Sequence, residues 1–146
     1  MKRIAVTSRS FSRHTVLRDE LIAAHPEAEI TFNDQGLSLV GDELISYLHG
    51  HSMAITALEP IDARVLAALP DLRVISKYGV GFDMLDLAAM RARGVRLGWT
   101  GGTNKRSVSE LVISAAIALL RHVPALNQEV REGAWSQRVG GHLSRR

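Results

Sequence analysis

The sequence contains no cysteine, which excludes disulfides, thiolate nucleophiles and cysteine-bound metals. This absence fits a reducing compartment. Long hydrophobic runs are absent as well, since the nearly apolar stretch 111–120 has about half the length of a membrane span. The apolar segment that follows Met1, Lys2 and Arg3 is too short for the core of a signal peptide. We therefore expect a soluble, cytoplasmic protein that has no membrane partner.

Aromatic residues make up only 5% of the chain, and its charges are nearly balanced, with a formal net charge of +3. The excess lies at the C-terminal end, in Arg138, Arg145 and Arg146. Without these three, the basic residues fall from 18 to 15 and equal the 15 acidic ones. A nucleic-acid-binding surface would instead place basic residues on one face. The sequence therefore predicts no nucleic-acid partner.

Five short, nearly apolar segments alternate with helical patterns. The predicted strands are 3–8, 28–32, 53–58, 72–76 and 95–99. We interpret 10–12 as a loop, Asp86 as a helix cap and Gly94 as a C-terminal helix stop. Apolar strands of this kind are typical of a parallel sheet covered by helices on both faces and joined by right-handed crossovers. Ligands of such sheets bind beyond the carboxyl ends of the strands.

The character of the sequence changes after residue 101. A helix is predicted over 107–132, with Ser107 and Glu110 as a capping box and Pro124 as a kink or restart. Its first part is apolar on nearly all sides, which indicates burial between two domains or two subunits. We predict two domains, 1–101 and 102–146, and no periodicity follows Gly133.

The segment 74–83, V-I-S-K-Y-G-V-G-F-D, carries the strongest local chemistry. Gly79 and Gly81 permit unusual backbone angles and leave their amides unscreened. Successive amides in such a turn can form an anion site, here beside the ammonium of Lys77. We predict that this loop holds the carboxylate of a small acid. The alternative is an ordinary tight turn from strand to helix with a solvated lysine.

Other chemistries find little support. The loop lacks the third glycine of a dinucleotide fingerprint. His49 and His51 flank Gly50, but no further ligand completes a metal site, and we interpret them as solvated. No nucleophile pairs with a histidine. A phosphoacceptor receiver would need an acidic pair after the first strand, an aspartate at the end of the third and a lysine at the end of the fifth, where this chain has Thr7-Ser8, Leu58-Glu59 and Thr100. We therefore predict no catalytic residue and no metal site, and a non-enzymatic binding module stays open.

Three motifs together resemble a known family. They are K-Y-G-V-G-F-D-M-L-D-L, A-R-G-V and T-G-G-T-N-K-R-S-V-S-E-L, the last running into an alanine-rich helix with L-L-R-H-V-P. They look like D-isomer-specific 2-hydroxyacid dehydrogenases, most closely the phosphoglycerate-dehydrogenase-like members. The resemblance runs from the first strand to the last residue. It implies a flavodoxin-like substrate-binding domain, followed by a long interdomain helix that enters an NAD-binding domain and contributes to a homodimer interface.

The resemblance also implies roles for individual residues. Val80 and Gly81 would offer backbone amides to the carboxylate of a 2-hydroxy or 2-oxo acid. Lys77 stands where phosphoglycerate enzymes often have an arginine that contacts the anionic substrate. Thr100 would lie near the nicotinamide of the cofactor, and NAD against NADP is left open. Gly101 replaces the family's frequent proline and is expected to loosen the turn.

The family's glycine fingerprint and its catalytic Arg, Glu and His would lie beyond Arg146. The resemblance thus implies the substrate-binding portion of an oxidoreductase that acts on the CH–OH group of D-2-hydroxy acids, with 3-phosphoglycerate as one candidate. We expect no turnover by the 146 residues alone. The alternative is a non-catalytic α/β module that dimerises through the 107–132 helix.

Overall fold

The computed structural model describes residues 2–144. Arg145 and Arg146, which belong to the predicted basic tail, lie outside the described residues. The chain divides into two compact units, Met1–Gly101 and Gly102–Arg146.

The first unit is built on a five-stranded parallel sheet with the strand order β2-β1-β3-β4-β5. The strands are β1 (Arg3–Val6), β2 (Glu29–Phe32), β3 (Met53–Thr56), β4 (Val74–Lys77) and β5 (Arg96–Gly98). The predicted α/β fold with a parallel sheet is confirmed. In this order β4 lies between β3 and β5. The loops that follow these three strands therefore meet at one edge of the sheet.

Helices connect consecutive strands. They are α1 (Arg9–Arg13), α2 (Thr15–Ala24), α3 (Gly41–Leu48), α4 (Ala63–Ala67) and α5 (Leu87–Ala92). The loop predicted over 10–12 is wrong, because α1 covers these residues. The hydroxyl oxygen of Ser8 accepts a hydrogen bond from the Phe11 amide at 3.3 Å and caps this helix. Phe11 and Ser12 are buried, so this short helix packs against the rest of the first unit.

The core of the first unit lies between the middle of the sheet and helices α3 and α4. Ala5, Ala54 and Ile75 are buried on adjacent strands, and Leu44 and Leu66 pack against them from the helices. Burying a large aliphatic side chain of this kind stabilises a fold by about 1.5–3 kcal/mol. This core holds β4 rigidly, so the loop that follows β4 starts from a fixed position.

Aspartates cap two of these helices. Asp62 accepts from the Val65 amide at 2.8 Å, and Asp86 accepts from the Ala89 amide at 2.9 Å. Gly94, with φ of +68°, lies just beyond α5. The predicted roles of Asp86 and Gly94 are confirmed. Because Asp86 fixes the start of α5, the segment between β4 and α5 is anchored at both ends.

His51 is not solvated, contrary to the sequence interpretation. It is buried, and its Nε2 lies 3.1 Å from the Thr31 hydroxyl oxygen. Burial lowers the pKa of His51 below its ordinary value, and the charge of Arg3 acts in the same direction. The histidine is thus held by Thr31 of β2, and its burial favours the neutral form of the ring.

The second unit consists of α6 (Lys105–Leu120) and α7 (Val123–Arg131). The restart predicted at Pro124 is confirmed, and the break itself lies at His122, whose φ is +57° and where the two helices are bent by 60°. Pro124 lies in the first turn of α7, where its missing amide proton costs nothing. The predicted stop at Gly133 is confirmed by its φ of +84°.

The predicted capping box is also wrong. The helix begins two residues before Ser107, at Lys105, and Asn104 occupies the N-cap position without a side-chain hydrogen bond. Glu110 lies inside the helix, where it accepts a hydrogen bond from Arg106 at 3.2 Å. This pair is one helical turn apart and exposed, so it adds only a few tenths of a kcal/mol.

No single helix within residues 2–144 is long and apolar enough to cross a membrane, although α6 and α7 taken together would qualify by length and composition.

Candidate functional site

The glycine loop, residues 78–84, follows β4 at the carboxyl edge of the sheet. Its entry is fixed by the Tyr78 amide, which donates to the Thr56 carbonyl at 2.7 Å. Its exit is fixed by the Leu85 amide, which donates to the Phe82 carbonyl at 2.9 Å. Between these anchors, Gly79 adopts φ of +133°. Such an angle is essentially restricted to glycine, so the turn requires a glycine at this position.

Gly81 lies outside the left-handed region and uses ordinary backbone angles. A Cβ built on it would make only a normal contact of 3.5 Å with Asp83 Oδ2. The expectation that both glycines supply unusual angles therefore holds for Gly79 only. The absence of a side chain at Gly81 leaves the backbone amide accessible, whereas the shape of the turn does not require a glycine there.

The amides of the loop are available to a ligand. Within residues 2–144, no protein oxygen accepts a hydrogen bond from the amides of Gly79, Val80 or Gly81. The two glycines are exposed and Val80 is half-buried. Neighbouring unpaired amides beside a cation are suited to an anion, and a carboxylate has two oxygens to accept from them.

Lys77 is not a solvated lysine, so this part of the alternative interpretation is wrong. The residue is half-buried, and its ammonium donates a hydrogen bond to the Ala57 carbonyl in the loop after β3. An ammonium has three donors, so Lys77 can reach an anion while this bond is kept. A Cβ built on Gly79 would lie 3.5 Å from Lys77 Nζ. The charge therefore lies directly beside the glycine loop.

Glu59 holds the same neighbouring loop from the other side. Its Oε2 accepts from the Thr7 hydroxyl at 2.9 Å and from the Ala57 amide at 2.6 Å. Ala57 is thus bonded through its amide to Glu59 and through its carbonyl to Lys77. The sequence indicated only that the predicted strand 53–58 ends directly before Glu59. It carried no signal of this contact, because Thr7 and Glu59 are 52 residues apart.

A small cavity of about 240 Å³ opens beside this loop. It lies between the segment after β1 and the segment after β3. Its walls are formed by Ser8, Arg9, Ser10, Arg13, Ala57, Leu58 and Glu59. The lining thus combines two serines, two arginines and the carboxylate of Glu59, and its Ala57 is bonded to Lys77.

Trp99, the residue directly after β5, contacts the glycine loop, a role that the sequence did not suggest. Its indole Nε1–H donates to the Val80 carbonyl at 2.9 Å. Its ring packs edge to face against Phe82, with ring centroids 5.2 Å apart. The only local signal was an aromatic residue directly before Thr100.

Thr100 is exposed and lies two residues beyond β5. It belongs to the same sheet edge as Lys77, Val80 and Gly81, and its neighbour Trp99 connects it with the glycine loop. The structure thus brings the predicted site residues to one edge. Together they present backbone donors and one positive charge, a combination that suits an acid.

The first unit belongs to the class of parallel α/β domains, with a glycine loop and a lysine at the carboxyl edge of its sheet. A family model described as "D-isomer specific 2-hydroxyacid dehydrogenase, catalytic domain" matches residues 5–139. The chain belongs to this family, so the resemblance in its motifs is confirmed.

Known proteins agree with this assignment. The chain is 30% identical over 120 residues to D-3-phosphoglycerate dehydrogenase of Mycobacterium tuberculosis, covering 82% of this chain and 19% of that protein. It is 36% identical over 87 residues to glyoxylate reductase/hydroxypyruvate reductase of Mus musculus, covering 59% of this chain and 26% of that one. The solved NAD⁺-bound 3-phosphoglycerate dehydrogenase of Entamoeba histolytica superposes with a TM-score of 0.71 at 20% identity, covering 97% of this chain and 43% of that chain. The chain therefore spans less than half of the length of these relatives.

Proposed function

We propose that this chain supplies the substrate-binding portion of an NAD-dependent oxidoreductase that acts on D-2-hydroxy acids and the corresponding 2-oxo acids. The observation that carries the proposal is that the amides of Gly79, Val80 and Gly81 have no hydrogen-bond acceptor among residues 2–144. The Val80 and Gly81 amides bind the substrate carboxylate, and Lys77 adds a positive charge beside them. Family membership supports the reaction class.

The side chains around the loop favour a small acid over a phosphorylated one. Lys77 offers a point charge, whereas an arginine would offer a planar fork that matches a phosphate or carboxylate with two parallel hydrogen bonds. One donor of Lys77 is already bonded to Ala57. We therefore propose glyoxylate, pyruvate and similar acids ahead of 3-phosphoglycerate.

Thr100 marks the side on which the cofactor would bind. It is exposed two residues beyond β5, and its neighbour Trp99 is bonded to Val80 of the glycine loop, so a nicotinamide ring beside Thr100 would lie near the substrate. The chemistry that this cofactor would supply when bound is hydride transfer to or from C2 of the acid. The described residues contribute binding and orientation, and we assign no catalytic residue to them. The cytoplasmic location stays a prediction, and the choice between NAD and NADP stays open.

Calorimetric titration tests the substrate class. Glyoxylate, pyruvate and 3-phosphoglycerate are titrated into the wild-type chain and into Gly81→Val. The control is Gly98→Ala, which also replaces a glycine but lies in β5 and outside the glycine loop. We expect the small oxo acids to bind the wild type and the control alike, and Gly81→Val to bind at least tenfold more weakly. Equal binding by Gly81→Val would contradict the assignment of the amides. Absence of binding by the wild type would contradict the proposed function itself.

A second candidate is a dimerising module without catalysis, with the second unit as its interface. Its support is the exposed apolar surface of α6, where Leu111, Val112 and Leu119 are exposed. The family resemblance also implies a homodimer through this segment, so dimerisation fits both candidates. Oxo-acid binding at the glycine loop separates them, because only the oxidoreductase requires it.

A further inference from the structure

Trp99 holds the one carbonyl whose orientation sets the direction of the Gly81 amide. The Val80 carbonyl and the Gly81 N–H belong to the same peptide unit. In a planar trans peptide these two groups point in opposite directions, and no peptide bond in the described chain is cis. Because the indole Nε1–H binds the Val80 carbonyl at 2.9 Å, the Gly81 N–H is turned away from the indole.

We propose that Trp99 is a positioning residue for the carboxylate-binding loop, fixing the direction of the Gly81 amide through its hydrogen bond to Val80. The inference rests on the proposed function for the identity of the ligand. The orientation of the peptide unit rests on the geometry alone.

The close approach of the Trp99 ring to Gly101 also defines the position of the indole. A Cβ built on Gly101 would lie 2.7 Å from Cη2 and 3.1 Å from Cζ2 of the Trp99 ring. Only a glycine leaves this space to the indole. Gly101 therefore does not merely loosen the turn, as the sequence suggested, but makes room for the side chain that holds the loop.

The contact with Phe82 completes the arrangement. Edge-to-face packing at 5.2 Å is worth about 0.5–1.5 kcal/mol beyond the burial of the rings. Trp99 thus contacts the loop at Val80 and at Phe82. The residue is still 43% exposed, so its ring contributes less to the core than to this loop. A side chain used only for packing would not need its N–H.

The direct test measures the direction of the Gly81 N–H bond by residual dipolar coupling in ¹⁵N-labelled protein. The variants are Trp99→Phe, which keeps an aromatic ring but removes the N–H, and Trp135→Phe as the control. Trp135 is 91% exposed and lies in the second unit. We expect Trp99→Phe to change the Gly81 coupling while the couplings of the β4 amides stay unchanged. We expect Trp135→Phe to change neither.

Binding provides the functional readout. Loss of one neutral hydrogen bond that orders the loop should weaken glyoxylate binding by roughly three- to tenfold in Trp99→Phe. Adding Gly101→Ala to Trp99→Phe should weaken binding no further, because the space at Gly101 is needed only by the indole. This non-additivity would not arise from a general loss of stability.

The outcomes separate this inference from the proposed function. An unchanged Gly81 coupling in Trp99→Phe would overturn the positioning role, whether or not an acid binds. A changed coupling in a protein that binds no oxo acid would support the positioning of the amide and contradict the proposed substrate.

Discussion

The indole ring of Trp99 occupies the space that a side chain at residue 101 would need, since a Cβ on Gly101 would lie 2.7 Å from its Cη2 atom. Gly101→Ala must therefore displace the indole and break its bond to Val80. We expect a loss of about 1 kcal/mol in the free energy of unfolding, the usual value of one hydrogen bond, and an altered Trp99 emission spectrum. Trp135→Phe serves as the background, so that Trp99 alone emits.

Gly98→Ala is the matched control for this change. A Cβ there would meet only Ser76, at 3.6 Å or more, which is ordinary contact. Emission that is unchanged in Gly101→Ala, or changed equally in Gly98→Ala, would show that the indole does not depend on Gly101.

The two glycines of the loop should respond differently to alanine. Gly79 has φ of +133°, and a side chain in such a region costs of order 1–3 kcal/mol. Gly81 is free of this strain and has room for a methyl group, so Gly81→Ala should change stability by no more than about 0.5 kcal/mol. Urea unfolding of both variants measures this difference. Equal destabilisation would show that the turn has another geometry.

Lys77→Met should weaken the binding of glyoxylate and remove most of its dependence on salt, because a charge beside the loop is lost. We expect roughly a tenfold weaker affinity at low ionic strength. Lys2→Met is the control, since Lys2 is exposed and pairs with Glu27 at 3.0 Å near the opposite end of β1. If both variants weaken binding equally, net charge rather than Lys77 attracts the acid.

His51 should make the first unit sensitive to acid. Its pKa is lowered by burial, so between that value and the ordinary value of about 6.5 the unfolded chain binds a proton that the folded chain does not. The contribution of His51 to stability is therefore fully present above about pH 6.5 and is lost as the pH drops below this value. Urea unfolding at pH 5 to 8 measures the loss.

His51→Gln should flatten this part of the profile, and His49→Gln, which removes an exposed histidine, should leave it unchanged. A profile that stays the same in His51→Gln would assign the acid sensitivity to other groups.

The exposed apolar side chains of α6 predict self-association. Leu111 is 69% exposed, and a lysine there should prevent close packing of two copies. We expect sedimentation equilibrium to show a dimer for the wild type and a monomer for Leu111→Lys. Val139→Lys makes the same chemical change outside the two helices and should stay dimeric. A monomeric wild type at all concentrations would contradict the homodimer.

Much of the fold follows from local patterns in the sequence. Short apolar strands separated by helical periods predicted the parallel sheet, and Asp86 and Gly94 marked the ends of α5 correctly. Errors arose where a local pattern was weak or misleading. The serine-rich segment 10–12 looked like a loop, but burial of Phe11 turns it into a helix. Ser107 and Glu110 matched a four-residue capping pattern by chance inside a longer helix.

The candidate site could be predicted only in part. The glycine loop was visible because its residues are contiguous. The supports of the loop come from distant parts of the chain, with Glu59 bonded to Thr7 and Trp99 bonded to Val80. Contacts of this kind depend on the order of the strands in the sheet, which spacing along a single sequence does not encode.

The most direct test of the account is an NMR titration of the ¹⁵N-labelled chain with glyoxylate. Binding through the loop predicts saturable shifts of the Val80 and Gly81 amide signals, with smaller shifts at Thr100 and none at the amides of β2, on the far edge of the sheet. Saturable shifts elsewhere with the loop amides unmoved, or no shift at all, would contradict the claim that these amides bind the carboxylate.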